Sequence, residues 1–180
     1  MKNIYTCFLV LFSITTFAQN ATDSVAGGDR GYIVKVGDMA PGITLEYTDG
    51  SSTPLSSFKG KIVLLQFTAS WCSVCRVEMP HLEKEIWQVY KNKGLVFAGI
   101  DLKEPVETVT KFAKTMKISY PLTLDTAGTK FYSFAAESAG VTRNILIDKE
   151  GKIAYLTRLY DKKEFNTLKK KIKELMSTEQ

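Results

Sequence analysis

Cys72 and Cys75, within Trp71-Cys72-Ser73-Val74-Cys75, constrain this chain more than any other feature. They stand where an apolar run, Ile62-Val63-Leu64-Leu65-Gln66-Phe67, gives way to a stretch with helical spacing. Thiols at positions i and i+3 can close a disulfide with one another when the first lies at a helix N-terminus. There the unpaired backbone N–H groups and the positive end of the helix dipole favour a thiolate. The thiolate is the species that attacks disulfides. A C-x-x-C between strand and helix therefore points to a dithiol that exchanges electrons with other proteins. Two readings compete with it. Half of a zinc site would need two further ligands, and the remaining candidates are Cys7, in a segment expected to be removed, and His81, close behind Cys75. A purely structural bridge is a poor use of the pair, because closing so short a loop removes little chain entropy.

The 180 residues suit one domain with a single core. Lys2, the mostly apolar Ile4 to Phe17 and the small-residue ending Thr16-Phe17-Ala18 follow the pattern of a secretory signal peptide over residues 1–18. That run is shorter than the ~20 residues of a spanning helix; an uncleaved membrane anchor is the alternative. Residues 19–34, polar and Gly-rich, read as a linker, and 35–180 as the domain. Without Cys7 the cysteine count is even, as an exported protein favours. Basic residues outnumber acidic ones, 24 to 19, and gather near the C-terminus in Lys162-Lys163, Lys169-Lys170-Lys171 and Lys173. Glu164 and Glu174 interleave there, and Phe165, Leu168, Ile172 and Met176 recur at helical spacing. This is an amphipathic helix with a solvated face, and no aromatic or glycine-rich pattern makes it a nucleic-acid surface.

Between these ends, Ile43 to Tyr47 alternates as a strand and Asp49-Gly50 predicts a hairpin turn. Leu55 to Gly60 reads as a short helical turn before the strand at Ile62. Val74, Val77, Leu82, Ile86, Val89 and Tyr90 predict a helix to about Lys93, closed by Gly94 and bent by Pro80. Leu95 to Asp101 is a strand buried on both faces, and Glu104-Pro105 opens a second helix through Met116. Pro121 to Asp125 is a third strand, followed by a short helix at Thr129 to Ala135. Asn144 to Asp148 and Lys152 to Leu159 form a hairpin before the basic helix. The pattern is α/β, a mixed sheet with helices on both faces.

With these blocks in this order the chain resembles the thioredoxin superfamily, and within it the exported TlpA/ResA-type thiol–disulfide oxidoreductases. The resemblance spans about residues 35 to 176. Its specific element is Phe67-Thr68-Ala69-Ser70-Trp71-Cys72-Ser73-Val74-Cys75-Arg76-Val77-Glu78-Met79-Pro80. Weaker elements are Val36-Gly37-Asp38-Met39-Ala40-Pro41, the spacing to Pro121-Leu122-Thr123-Leu124-Asp125, and Gly140-Val141 followed by Ile145 to Ile153. The resemblance implies a thioredoxin-like fold, a mixed central sheet flanked by helices, with an N-terminal β-hairpin and a central insertion at about Glu104 to Ala127. It implies no cofactor beyond a redox-active Cys72–Cys75 disulfide. The expected partners are protein disulfide substrates and a membrane-linked thiol reductant such as a DsbD-like protein. The expected location is the periplasm, and the expected state a monomer.

In this reading Cys72 is the attacking thiolate, partly exposed, and Cys75, a turn deeper, resolves the mixed disulfide. Trp71 is an apolar wall beside the sulfurs or a plain core aromatic, while Ser73 and Val74 set the local field. Glu78 shares a helix face with Cys75 and can exchange its proton, in competition with a solvated role. The family implicates a glutamate at this position in thiol acidity. Thioredoxin itself has a buried aspartate where this chain has Gln66, which cannot titrate. Thr142 stands in place of the family's cis-proline. A cis bond there would cost ~3–4 kcal/mol, which favours a trans bond and leaves the geometry of substrate binding open. Arg143 contacts an anion or steers a partner, or is a plain surface residue. His81 reads as a helix-surface residue. A peroxiredoxin-type thiol peroxidase is the second function considered. That family needs Thr or Ser three residues before its reactive cysteine, where this chain has Ala69. A binding module stapled by a structural disulfide is the third.

Overall fold

The computed structural model describes residues 30–177. The expected signal peptide, Cys7 and most of the expected linker lie outside the described residues. The chain runs β1 (Thr44–Tyr47), β2 (Ser52–Pro54), a 3-10 turn (Leu55–Phe58), β3 (Val63–Thr68) and α1 (Ser73–Leu82). A π turn (Glu83–Trp87) and α2 (Gln88–Tyr90) follow, then β4 (Val96–Leu102), α3 (Val106–Met116), β5 (Leu122–Asp125) and α4 (Thr129–Tyr132). β6 (Arg143–Ile147), β7 (Ile153–Arg158) and α5 (Lys162–Ser177) complete it. The strands make one mixed sheet in the order β2-β1-β5-β4-β3-β6-β7, the thioredoxin-like α/β architecture that the sequence predicts.

β3 and β4 are apolar along nearly their whole length because they sit at the centre, parallel to one another and covered on both faces. Alternation divides their side chains between two cores. Val63, Leu65, Phe67 and Ile100 join Leu45, Phe131, Phe134 and Val141 on one face. Leu64 and Phe97 meet Met79, Leu82 and Ile86 from the helix after the cysteines, Val109 and Phe112 from α3, and Phe165, Leu168 and Ile172 from α5 on the other. The expected insertion contains α3 and β5. β5 pairs with β4 on one side and β1 on the other, so the N-terminal hairpin reaches the sheet through it.

Two local expectations change. The helix after the cysteines is not one α-helix to Lys93; it widens into the π turn, three residues beyond Pro80. Such wide turns arise where the i to i−4 ladder is interrupted. This one coincides with Glu83 accepting from the Ser119 N–H, the Ser119 hydroxyl and Gln88. Residues 30–34, expected as linker, pack on the domain: Tyr32 is buried and bridges Ala135, and the Ile33 N–H bonds the Phe134 carbonyl at 2.9 Å.

On the α1-facing side the sheet has a polar row. Gln66 lies opposite Gly99 and Asn144, and Asn144 opposite Thr157; residues directly opposite on paired strands share a face. The row to one side is apolar, with Leu64 opposite Phe97 and Leu146. On the other side, Thr68 faces Asp101.

Candidate active site

Cys72 is the N-cap of α1, in extended backbone at φ −81° and ψ 106°, and its Sγ accepts the Cys75 N–H at 3.2 Å. The helix start therefore donates directly to the sulfur, which favours negative charge there. Cys72 and Cys75 are joined in a disulfide, with their Cα atoms 5.3 Å apart. Cys72 is more enclosed than expected, at 7% exposure, while Cys75 is fully covered. Thr142 Oγ1 lies 3.2 Å from the Cys72 sulfur and 3.3 Å from that of Cys75. The residue in the cis-proline position thus brings a hydroxyl to both sulfurs, where a proline has only ring carbons. Its peptide bond is trans, as are all others among the described residues.

Glu78 is 1% exposed, so the solvated reading is replaced by a buried acid one turn below Cys75. It rests on the polar row. Asn144 Nδ2 donates to Oε1 at 2.7 Å and Gln66 Nε2 to Oε2 at 3.3 Å. Burial pushes its carboxyl up to about 7, against the opposing pull of the Asn144 and Gln66 donors. A carboxyl titrating there can take a proton from a neighbouring thiol and return it. Behind Gln66 the Tyr120 hydroxyl donates to Oε1 at 2.8 Å, and behind Asn144 lies the Thr157 hydroxyl, 2.9 Å from Nδ2. Gly99 is what admits Tyr120 and Leu122, since a Cβ there would come within 2.4 Å of Leu122 Cδ2 and 3.3 Å of Tyr120 Cε2. Non-titrating Gln66 therefore serves the acid from the position where thioredoxin carries its own.

Trp71 stands out with 66% of its surface exposed beside Cys72, which rules out a core role. Ser73 is exposed and Val74 half-buried. Arg143 does not face outward at all. It is 0% exposed, 4.3 Å over the Tyr32 ring, and donates to the carbonyls of Gly140 and Arg30. That corrects its placement as a surface residue reaching for an anion or partner: it staples residues 30–32 to the Thr142 loop. His81 bonds Glu85 at 2.8 Å and stacks on Tyr160.

Sequence reasoning misses Asn144, Thr157, Tyr120, Asp101 and Glu104. A signal exists for two of them: Asn144 opens Asn-Ile-Leu-Ile and Asp101 ends Ala-Gly-Ile-Asp, each a polar letter in a strand otherwise buried. Tyr120 and Thr157 carry none, because their role follows from strand register.

Among known proteins, the redoxin family signature matches residues 35–172. The thiol-disulfide oxidoreductase ResA of Bacillus thuringiensis subsp. konkukian is 31% identical over 129 residues, which cover 69% of this chain and 73% of that one. A solution structure from Bacteroides thetaiotaomicron, provisionally described as a protein disulfide isomerase, is 52% identical with a TM-score of 0.79, covering 82% of this chain and 93% of that chain. The thioredoxin domain of a thiol-disulfide oxidoreductase from Bacteroides vulgatus is 31% identical with a TM-score of 0.65, covering 76% and 97%.

Proposed function

The chain belongs to the redoxin family and is a thiol–disulfide oxidoreductase, and on that premise we propose that it reduces disulfides of partner proteins outside the cytoplasm through Cys72. In the reduced protein the Cys72 thiolate attacks one sulfur of the partner disulfide. The partner's S–S bond breaks, a Cys72–partner bond forms, and the leaving sulfur departs as a thiolate. Cys75, its proton passed to Glu78, then attacks the Cys72 sulfur and expels the second partner thiolate. Two electrons have moved to the partner, and Cys72–Cys75 is left as the disulfide. A membrane-linked dithiol donor of the DsbD-like kind returns it to the reduced form.

One observation carries this reading: the sulfur of Cys72 caps α1 while the covered sulfur of Cys75 stands one turn above a buried acid. Exposed Trp71 supplies an apolar contact for the incoming segment. The extracytoplasmic location is supported by the signal-like N-terminal sequence, and no helix among the described residues is long and apolar enough to cross a membrane.

The test is a trap. Cys75→Ser protein, expressed in the native host and acid-quenched, should carry partner proteins disulfide-linked to Cys72, and Cys72→Ser protein should carry none. A Cys75→Ser protein that retains no partner would overturn the proposal.

A further inference from the structure

The turn that carries Cys72 is held by a clasp that the exchange chemistry does not use. Ser70, two residues before Cys72, gives both its backbone N–H and its hydroxyl to Glu104, at 2.6 Å each. Its carbonyl accepts from Arg76 Nε at 2.8 Å. The segment between β3 and α1 is thus gripped from the β4–α3 connection and from α1 itself. Accepting two such donors at once suits an ionised carboxylate.

Three residues before Glu104 is Asp101, on β4 opposite Thr68. Asp101 is 0% exposed, and neither of its oxygens has a donor. As a carboxylate it would be buried, unbonded and next to a second negative charge, a strongly unfavourable state. Protonated, it has a hydroxyl to give, and Glu104 is the acidic group whose charge and hydrogen bond act on it. Burial foremost, then the Glu104 charge and hydrogen bond, push the Asp101 carboxyl up to about 8.

The surrounding charges are otherwise engaged. Arg76, from α1, also meets the Met116 sulfur and the Phe112 ring. Glu78, on the same helix, is held by Asn144 and Gln66. Lys103, between the two acids in the chain, lies 5.0 Å over the Tyr132 ring.

We propose that Asp101 and Glu104 share one proton and act together as positioning residues for the nucleophile. The proton sits on Asp101 and the charge on Glu104, and that charge fixes Ser70 and with it the Trp71–Cys72 segment. When Asp101 ionises, two negative charges face each other, Glu104 is driven from Ser70, and the segment loosens. This deepens the reading of Cys72 as the attacking group and rests on it.

Two measurements test the clasp. In the oxidised protein the Ser70 amide proton, followed by NMR, should lie at low field and shift upfield with a midpoint near the Asp101 value of about 8. In Asp101→Asn, whose amide still donates to Glu104, it should keep its low-field position at every pH, and in Glu104→Gln it should lose that position throughout. A wild-type Ser70 amide indifferent to pH, or one that titrates alike in Asp101→Asn, overturns the shared proton. In the reduced protein, the rate of attack on a small aromatic disulfide is divided by the thiolate fraction read from ultraviolet absorbance. That ratio should fall about tenfold between about pH 7 and about 9.5 in the wild type, because ångström-scale misplacement of reacting groups costs up to ~10²-fold. It should stay flat in Asp101→Asn and be low at all pH in Glu104→Gln. Equal ratios in all three proteins overturn the positioning role and leave the oxidoreductase reading standing. A wild type whose Cys72 attacks at no pH fails that underlying reading instead.

Discussion

Glu78 couples stability to pH in a direction fixed by its burial. The folded carboxyl holds its proton to about 7, whereas an ordinary glutamate gives it up near 4.5. Between those limits the folded state carries a proton that the unfolded chain has lost, so stability is greatest below 4.5 and declines as pH rises through 7. Across that window this group should remove about 3–3.5 kcal/mol, given ~1.4 kcal/mol for each unit of pKa. Asp101 acts with the same sign up to about 8. Urea unfolding of oxidised Glu78→Gln should therefore give a flatter profile than the wild type below pH 7, and an unchanged slope would refute the buried acid. In turnover the same variant should slow resolution of the mixed disulfide about 10²-fold, the lower range for losing a positioned base. Thr142→Val removes the hydroxyl 3.2 Å from the Cys72 sulfur. A hydrogen bond to a charged group contributes ~1.5–3 kcal/mol, so attack by Cys72 at neutral pH should slow about tenfold or more, measured as alkylation rate against pH. The cysteines and Glu78 are legible in the sequence because they sit on consecutive turns of one helix, where spacing alone brings them together. Gln66, Asn144, Thr157 and Tyr120 come from separate segments, and the sheet register that assembles them is written nowhere locally. Arg143 is illegible for a related reason: a guanidinium reads as surface until Tyr32 and Phe131 are seen to enclose it.

Elements are legible where their signal is local. The two hairpins, β1–β2 and β6–β7, follow from alternation and from turn residues such as Gly50 and Gly151, both at positive φ. The core strands follow from unbroken apolar runs, and α5 from its apolar stripe. The place of β5 between β4 and β1 is not local, since it depends on how α3 crosses back over the sheet. The π turn is also hidden, because the apolar positions Leu82 and Ile86 fit an ordinary helix equally well. Function divides along the same lines. α1 and the Thr142 loop touch the sulfurs, while α5 supplies Phe165, Leu168 and Ile172 to the core on the α1 side of the sheet. Leu168→Ala should thus cost ~2–5 kcal/mol in denaturant unfolding, the range for an emptied leucine site. The fraction of Cys72 present as thiolate at a given pH should not move. A matching change in thiolate fraction would mean that packing under α1 sets the chemistry, contrary to the capping geometry.

At the scale of the whole molecule, three guanidinium groups are brought together behind the active-site loop by segments far apart in sequence. Arg30, Arg143 and Arg158 converge where residues 30–32 cross the ends of β6 and β7, and Glu164 is the carboxylate bonded among them. Arg158 lies so close to Gly140 that a Cβ there would come within 2.4 Å of its Nη2. Burial first, and repulsion from the neighbouring arginines with it, hold Arg143 and Arg158 below the usual guanidinium range. One nitrogen of each, Nη1, has no hydrogen-bond partner. The same cluster supports the site: Arg143 Nε donates to the Gly140 carbonyl, and the Leu159 N–H closes on the Thr142 carbonyl at 3.1 Å. Within a chain of net charge +5, three guanidinium groups around Glu164 leave repulsion among them that dissolved salt can screen. Salt shortens the screening length from ~10 Å at 0.1 M to ~3 Å at 1 M. Sodium chloride over that range should therefore raise the melting temperature of the oxidised protein, by about 3 °C for each ~1 kcal/mol of repulsion relieved. Arg158→Gln, with one charge fewer in the cluster, should show a smaller rise. A wild type that is unmoved or destabilised by salt, or a variant that responds equally, would place the repulsion elsewhere in the molecule.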